Sequence, residues 1–536
     1  MTSQRLILPL AILLLLLLPI PGFVVADDSD LTEGLGLLIE KSFAKKTIGV
    51  EKIGASGDPR AGKILRGLLD GHLFLSKRDQ VMVYAIPGKK GIDITNILTG
   101  KSLGVVKAAE LGKITINNQL RSHLKALLAR LSLTNPDPIV RLAGVKAMLA
   151  DLTPDTVKVL QELQGSEENG DVKDVLATAL ALSGIKSTDT AVRIDALANL
   201  QGNLNPVVRN ELISLIDLEK DGDVQDEARR TLASIEATIA WNARLETVFF
   251  GLSLGSVLVL AAIGLAITFG VIGVINMAHG ELIMIGAYTA YVLQQLMPNS
   301  IGLAVALAVP AAFCVSGLVG IVIEKSVIRF LYGRPLETLL ATFGISLILQ
   351  QAVRSIFSPL NRSVSTPEWM SGSIVINPVL SLTSNRLTIF VFAMVVFAGL
   401  FILLKKSSLG LQVRAVSQNR AMARAMGVRA SRVDAMTFGL GSGIAGIAGV
   451  ALSQLTNVGP NLGQAYIVDS FLVVVFGGVG NLWGTLLGGL SLGVANKFLE
   501  PYSGAVLAKI IILVFIILFI QKRPQGLFPQ RGRAAE

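Results

Sequence analysis

A chain of 536 residues that is 51% hydrophobic and only 16% charged is too apolar for an ordinary soluble protein, and it is long enough for two or more domains. Its net charge of +10 is unevenly placed: residues 27–246 hold 28 basic and 30 acidic side chains, the remainder 20 and 8. The basicity therefore belongs to the apolar part, so nucleic acid is not an expected partner, and the single cysteine, Cys314, excludes an internal disulfide.

Residues 1–26 carry Arg5, the run LILPLAILLLLLLPI and the small-residue pattern Val24, Val25, Ala26. This is the order of a secretory signal peptide cut after Ala26, so the residues beyond it are expected outside the cytoplasm. Residues 27–118 read as a mixed α/β segment, with a helix opened by a proline in SGDPRAGKILRGLLDG and a strand, a turn and a strand in LFLSKRDQVMVYAI. Over 119–246 a valine followed by a polar or basic residue recurs at Val140, Val172, Val192, Val208 and Val224, with apolar or small residues four and eight positions on. These units resemble HEAT-type helical repeats, which stack into a binding surface or serve as a spacer. The stretch TNILTGKS, 95–102, approaches a phosphate-binding loop but has Thr95 where the motif needs glycine. The chain is therefore read as a non-enzyme without an ATPase motif of its own.

From 247 to 527 the sequence predicts an α-helical multi-pass membrane domain of about nine segments, some of them broken. The segments lie roughly at 248–270, 279–297, 302–324, 337–357, 387–404, 433–455, 466–480, 484–499 and 505–521, with eight or ten crossings as alternatives. Starting outside, nine crossings leave the tail, 528–536, in the cytoplasm. The loops expected inside hold Lys325, Arg329, Arg334, Lys405, Lys406, Arg414, Arg420, Arg424, Arg429, Arg432, Lys522, Arg523, Arg531 and Arg533, whereas the long outer loop holds Arg362 and Arg386. This bias supports the same orientation independently, because basic residues accumulate in cytoplasmic loops.

Within the apolar part, GVINMAHGELIMIGAYTAY (273–291) places Asn276, His279 and Glu281 among almost uncharged residues. A helix turns about 100° per residue, so His279 and Glu281 do not share a face, and the HExxH zinc pattern is absent. No metal is expected. The better account is a break, with Asn276 capping a new helix, Gly280 relaxing the backbone and Glu281 in the first turn at the positive end of the helix dipole. Helix ends at membrane depth are tolerated only where protein or water satisfies them, so the break predicts a cavity or a protein-lined path. His279 then either lines that path or fixes the break through backbone hydrogen bonds. FGGVGNLWGTLLGG (476–489) repeats the device with Asn481 and Gly484, as in discontinuous helices around a transport route.

The longest internal loop, 411–436, predicts one short helix over 415–426 stopped by Gly427, with Ala421, Met422 and Ala425 as an apolar side for a partner's groove. A basic helix of this kind also suits anionic lipid.

Three stretches in order, GVINMAHGELIMIGAY, AVSQNRAMARAMGV and VVVFGGVGNLWGTLLGG, resemble the permease subunits of ABC importers of the branched-chain amino acid type. The resemblance covers about 247–527. It implies a bacterial inner-membrane location and a coupling segment facing an ATPase, with Gln418, Asn419, Arg420, Ala421 and Gly427 as its positions. The implied partners are a second homologous permease, two cytoplasmic ATPase subunits and a soluble periplasmic substrate-binding protein, with ATP bound by the ATPases and no cofactor on this chain. An exported helical-repeat domain before the first crossing looks like the urea branch of that family, with branched-chain amino acids or short amides as the alternative cargo. An ATP-independent channel or secondary transporter is the reading from a different class.

Overall fold

The computed structural model describes residues 28–88, 91–133, 135–149 and 152–528. The expected leader, 1–26, and the tail beyond Phe528 lie outside the described residues. The chain divides into two compact units, Met1–Glu236 and Ala237–Glu536.

The first unit opens with α1 (Asp28–Ile39), α2 (Phe43–Ala55) and α3 (Ala61–Leu69). Ile64, Leu65 and Leu68 recur at helical spacing and are buried with Leu31, Leu38, Val50 and Ile53. A five-stranded antiparallel sheet comes next, in the order β4-β3-β2-β1-β5. Its strands are β1 (Leu73–Ser76), β2 (Met82–Gly88), β3 (Gly91–Asn96), β4 (Ser102–Val106) and β5 (Leu111–Lys113). The strand, turn and strand expected over 73–86 are β1 and β2, and alternation sends Val83 and Ala85 to one buried face beside Ile94. The stretch 95–102 is the β3–β4 turn, where Asn96 Oδ1 accepts from the backbone amides of Leu98 and Thr99 at 2.9 and 3.0 Å. Two amides that a phosphate would need are thus already engaged.

Beyond the sheet lie α4 (Asn118–Leu133), α5 (Pro138–Met148), α6 (Pro154–Ser166), α7 (Gly170–Gly184), α8 (Thr190–Asn199) and α9 (Pro206–Leu218). The side chains of Asp137, Thr153, Asn169, Asp189 and Asn205 each accept from a backbone amide of the first helical turn after them, which cuts the stretch into short helices. The uneven valine spacing has a structural cause. Arg141 pairs with Glu167 at 2.7 Å and Arg193 with Glu219 at 2.5 Å. Each member of the second pair stands 52 positions after its counterpart (141 to 193, 167 to 219), as do Val192 after Val140 and Val224 after Val172. A unit of three helix starts is thus used twice.

Arg141 holds the Glu167 carboxyl down at about 2, through its side-chain hydrogen bonds first and then the amides of Asn169 and Glu168. Because the folded value lies below the ordinary one of 4.5, this contribution is present above pH ~4.5 and disappears as pH falls towards 2. In the intact chain, hydrogen exchange over 138–184 should be slower in the wild type than in Glu167→Gln at pH 6. That difference should shrink steadily below pH ~4.5; a difference unchanged at pH 3 would contradict it.

The second unit is built on α10 (Gly222–Ile272), α11 (His279–Leu296), α12 (Ile301–Ser326), α13 (Pro335–Phe357), α14 (Ser384–Lys406), α15 (Ser408–Gln418), α16 (Arg420–Ala425), α17 (Ala430–Ser453), α18 (Leu462–Gly477) and α19 (Leu482–Lys522). A hairpin, β6 (Ser373–Asn377) and β7 (Leu380–Thr383), sits in the loop before α14. Among the described residues, six helices are long and apolar enough to cross a membrane: α10, α12 with the turn after it, α13, α14, α17 and α19. Of the nine expected stretches, the one in α18 is only 16 residues long, and the one in α11 carries His279, Glu281, Gln294 and Gln295. The last two, 484–499 and 505–521, fall on either side of Gly504, whose φ 78° and ψ 162° are non-helical, so Leu482–Lys522 is two helices meeting at a kink just after Pro501. Proline removes a helical donor and clashes with the preceding turn, and the non-helical Gly504 completes the interruption. The apolar windows of α10 and α17 are 83% buried, against 17–33% for α12, α13, α14 and α19. The first two are therefore interior helices, and α17 packs against both α11 and α12.

Candidate functional site

The chain leaves α10 at Gly273 (φ 74°) and re-enters helix at His279. Asn276 does not stand at the cap of α11, a position that falls to Ala278. Its Oδ1 accepts instead from Ala278 N at 3.0 Å, because a short amide side chain bonds most readily to the backbone two residues on. His279 is fully buried, with Nε2 2.8 Å from the carbonyl oxygen of Ala261 on α10. A carbonyl only accepts, so Nε2 carries the proton and the ring ties the start of α11 to α10. Glu281 lies in the first turn of α11, 1% exposed, and its Oε1 accepts from Ser346 Oγ at 3.0 Å. Three buried atoms here have no hydrogen-bond partner among the described residues: Asn276 Nδ2, His279 Nδ1 and Glu281 Oε2. Unpartnered polar atoms are costly in a dry interior and mark a place where water or a polar ligand is accommodated.

Ser346 belongs to a row that the sequence reading missed. Thr338, Thr342, Ser346, Gln350 and Arg354 recur at every fourth position of α13, and the first four are buried. Thr342 Oγ1 accepts from Met277 N at 3.1 Å, inside the α10–α11 break. Gln350 Nε2 and Arg354 Nη2 donate to Asn461 Oδ1 at 3.1 and 2.8 Å, just before α18. The row thus meets the break through Thr342 and Ser346 and the start of α18 through Gln350 and Arg354. A four-residue period of hydroxyl and amide residues inside an apolar segment was its sequence signal.

The second break, between α18 and α19, is arranged differently. Asn481 caps α19, accepting from Gly484 N at 3.2 Å and donating through Nδ2 to the carbonyl of Phe528 at 3.3 Å. The segment ending at Phe528 docks on the end of α18 through Leu527 N to Phe476 O (2.9 Å) and Phe528 N to Gly477 O (3.1 Å). Gly484 packs its bare Cα against the Gly477 carbonyl. The polar atoms of Asn481 are therefore engaged by the chain itself, whereas Asn276, His279 and Glu281 at the first break each keep one buried atom without a partner among the described residues.

The single helix expected over 415–426 is split in two at Asn419, between the end of α15 at Gln418 and the start of α16 at Arg420. Asn419 takes an extended conformation (φ −148°, ψ 99°) and its Oδ1 caps α16 by accepting from Met422 N at 2.9 Å. An asparagine cap competes with helix continuation, which is why the good helix formers around it do not prevail. Gly427 (φ 87°) closes α16: Val428 N donates to Ala423 O and Gly427 N to Arg424 O, both at 3.0 Å. This double closure needs a left-handed residue. Gln418, Asn419, Ala421 and Gly427 are exposed, as are Met422 (61%) and Met426 (79%). Arg420 points inward, pairing with the fully buried carboxylate of Asp434 on α17 and lying 4.7 Å from the ring centroid of Tyr332. Tyr332 Oη in turn donates to Glu324 on α12 at 2.8 Å.

The family profile described as branched-chain amino acid transport system permease component matches residues 247–520. The high-affinity branched-chain amino acid transport system permease protein BraD of Pseudomonas aeruginosa is 32% identical over 294 residues, 53% of this chain and 95% of the relative. The permease protein LivH of the corresponding Escherichia coli system is 31% identical over 293 residues, 53% and 94% respectively. The ribose import permease protein RbsC of Escherichia coli is 25% identical over 310 residues, 54% and 91%. No solved structure matches. With just over half of its length under the family profile, this chain belongs to the family of branched-chain amino acid transport system permease components.

Proposed function

We propose that this chain is the permease subunit of an ABC importer, that its membrane unit forms part of the path for urea, and that partner ATPases supply the driving force. The observation that carries the path is the first break. A helix interrupted inside an apolar unit, with Asn276, His279 and Glu281 each holding an unpartnered buried polar atom beside the polar row of α13, is what a small uncharged cargo with several hydrogen-bonding groups requires. Asn481 and Gly484 shape the second break that flanks it. Exposed Gln418, Asn419, Ala421 and Gly427 present the coupling surface, and Arg420 holds that surface in place.

Two lines support urea. The relatives match 53% of this chain over nearly their whole length and the family profile begins at residue 247, so we read the preceding unit as an addition to the simple amino-acid permease plan. An exported repeat domain in that position looks like the urea branch. The names of the same relatives favour the second reading, in which the cargo is a branched-chain amino acid. The partners in either case are a second homologous permease, two ATPases and a periplasmic substrate-binding protein.

Uptake of labelled urea and labelled leucine, compared between a strain carrying the gene and one deleted for it, separates the readings. Most energy-dependent urea uptake should vanish on deletion while leucine uptake stays within error. Unchanged urea uptake with lost leucine uptake would replace the urea reading by the amino-acid one, and transport surviving removal of the ATPases would replace both by a channel.

A further inference from the structure

Between the end of α12 and the start of α17 lies a recess of about 560 Å³ that the permease reading does not use. Its lining includes Lys325, Arg329, Ser431, Arg432, Glu324 and Met436. Among the described residues, none of the three cationic side chains makes an ion pair. Arg329 is only 5.0 Å from the ring centroid of its neighbour Phe330. The Glu324 carboxylate already accepts from Tyr332, so the recess holds an excess of two positive charges. Exposed cations so close together repel one another unless an anion sits among them.

The second observation is what adjoins the recess. Val315, Leu318, Val322 and Lys325 succeed one another at spacings of three, four and three, so they share one face of α12. Val315, Leu318 and Val322 are exposed (42%, 63% and 63%), as is Met436 of α17. An apolar stripe in a spanning helix therefore runs directly into a cluster of three cations at its end. The end concerned is the one that the basic-residue bias assigns to the cytoplasm, where membranes carry anionic headgroups.

We propose that this recess seats the headgroup of an anionic glycerophospholipid, with the phosphate between Lys325, Arg329 and Arg432 and the acyl chains along Val315, Leu318 and Val322. The complementarity is double, anion to cations and chain to apolar stripe, and a free anion satisfies only half of it. Ser431 and Arg432 open α17 immediately after the coupling segment. A seated lipid therefore buttresses the loop that Arg420 anchors.

The test uses the full-length protein, delipidated in detergent, with bound lipid counted by native mass spectrometry during titration with phosphatidylglycerol or phosphatidylcholine. Wild type should retain phosphatidylglycerol preferentially. Each removed charge should weaken retention about fivefold, and Lys325→Ala/Arg329→Ala/Arg432→Ala together on the order of a hundredfold. Leu318→Asn, which leaves every charge in place, should also weaken it. If the triple variant does not fold, the headgroup preference and salt sensitivity of the wild type decide the matter. Equal retention of the two lipids overturns the proposal, and so does displacement by equimolar inorganic phosphate, which would show a simple anion site. A triple variant that keeps the lipid but loses the partner ATPase overturns it in favour of a protein contact.

Discussion

Replacing Arg420 by glutamate should abolish both transport and transport-coupled ATP hydrolysis while the protein still accumulates in the membrane. The Asp434 carboxylate is fully buried and its ion-pair partner is Arg420, whose side chain is 32% exposed. Glutamate at 420 would set one carboxylate against another beside Tyr332. Breaking a buried pair by removing one partner typically costs ~3–5 kcal/mol, and the exposed side of the guanidinium puts this one near the lower figure. That is enough to release α16 from α17, yet the apolar helices that direct insertion are untouched. The expected loss does not require Arg420 to touch the ATPase. Asp434→Asn should therefore reproduce a milder form of the defect, and the double variant Arg420→Met/Asp434→Leu should recover coupling in large part, because an apolar pair can replace a buried ion pair without leaving a charge stranded. Measuring uptake and ATPase activity in membranes containing all subunits decides it. If Asp434 variants couple normally while every Arg420 variant fails, the arginine contacts the partner directly and the internal anchor is wrong.

The inward turn of Arg420 illustrates what was legible in the sequence. That a basic stretch around 411–436 separates two membrane helices is plain from composition, and Gly427 as a stop is plain from its freedom to take φ 87°. Which arginine faces in depends on Asp434, fourteen residues on and beyond the turn at Gly427, and local periodicity carries no information about that pairing. The break at 273–278 was legible because Asn276, His279 and Glu281 are individually expensive in an apolar run. The row on α13 was not, because single threonines and serines are cheap in a membrane helix, bonding back to their own turn as Thr338 does to Arg334 O at 2.8 Å. Their meaning appears only when Met277, Glu281 and Asn461 arrive from elsewhere in the chain. In the first unit the valine pattern showed repeated helices, but its 52-residue period emerges only once Arg141–Glu167 and Arg193–Glu219 are seen as equivalent pairs.

Placing a valine at Gly280 should cost transport more than any removal of a single hydrogen bond in the site. A Cβ at Gly280 would stand 2.6 Å from the carbonyl oxygen of Gly463 and 2.8 Å from its carbonyl carbon, both backbone atoms that cannot swing aside. The first turn of α11 and the first turn of α18 would have to separate. Overpacking of this kind typically costs ~1–3 kcal/mol, and here the displacement falls on the residues flanking Gly280. His279 would lose its seat against Ala261, and Glu281 its bond from Ser346. Uptake should drop by about fivefold to a hundredfold, the range that ~1–3 kcal/mol spans at 1.4 kcal/mol per factor of ten, and the thermal stability of the purified protein should fall with it. Gly344→Ala is the matched control. It lies on α13 between Thr342 and Ser346, yet a Cβ there meets nothing within 4 Å, so the change should be neutral or should stabilise the helix by up to ~1 kcal/mol. Wild-type uptake by Gly280→Val would show that α11 and α18 do not need their close approach, and the break at Asn276 to Glu281 would then lose its claim to be a shaped part of the path. Loss of uptake in Gly344→Ala as well would point to a general intolerance of helix substitutions in place of a specific crossing.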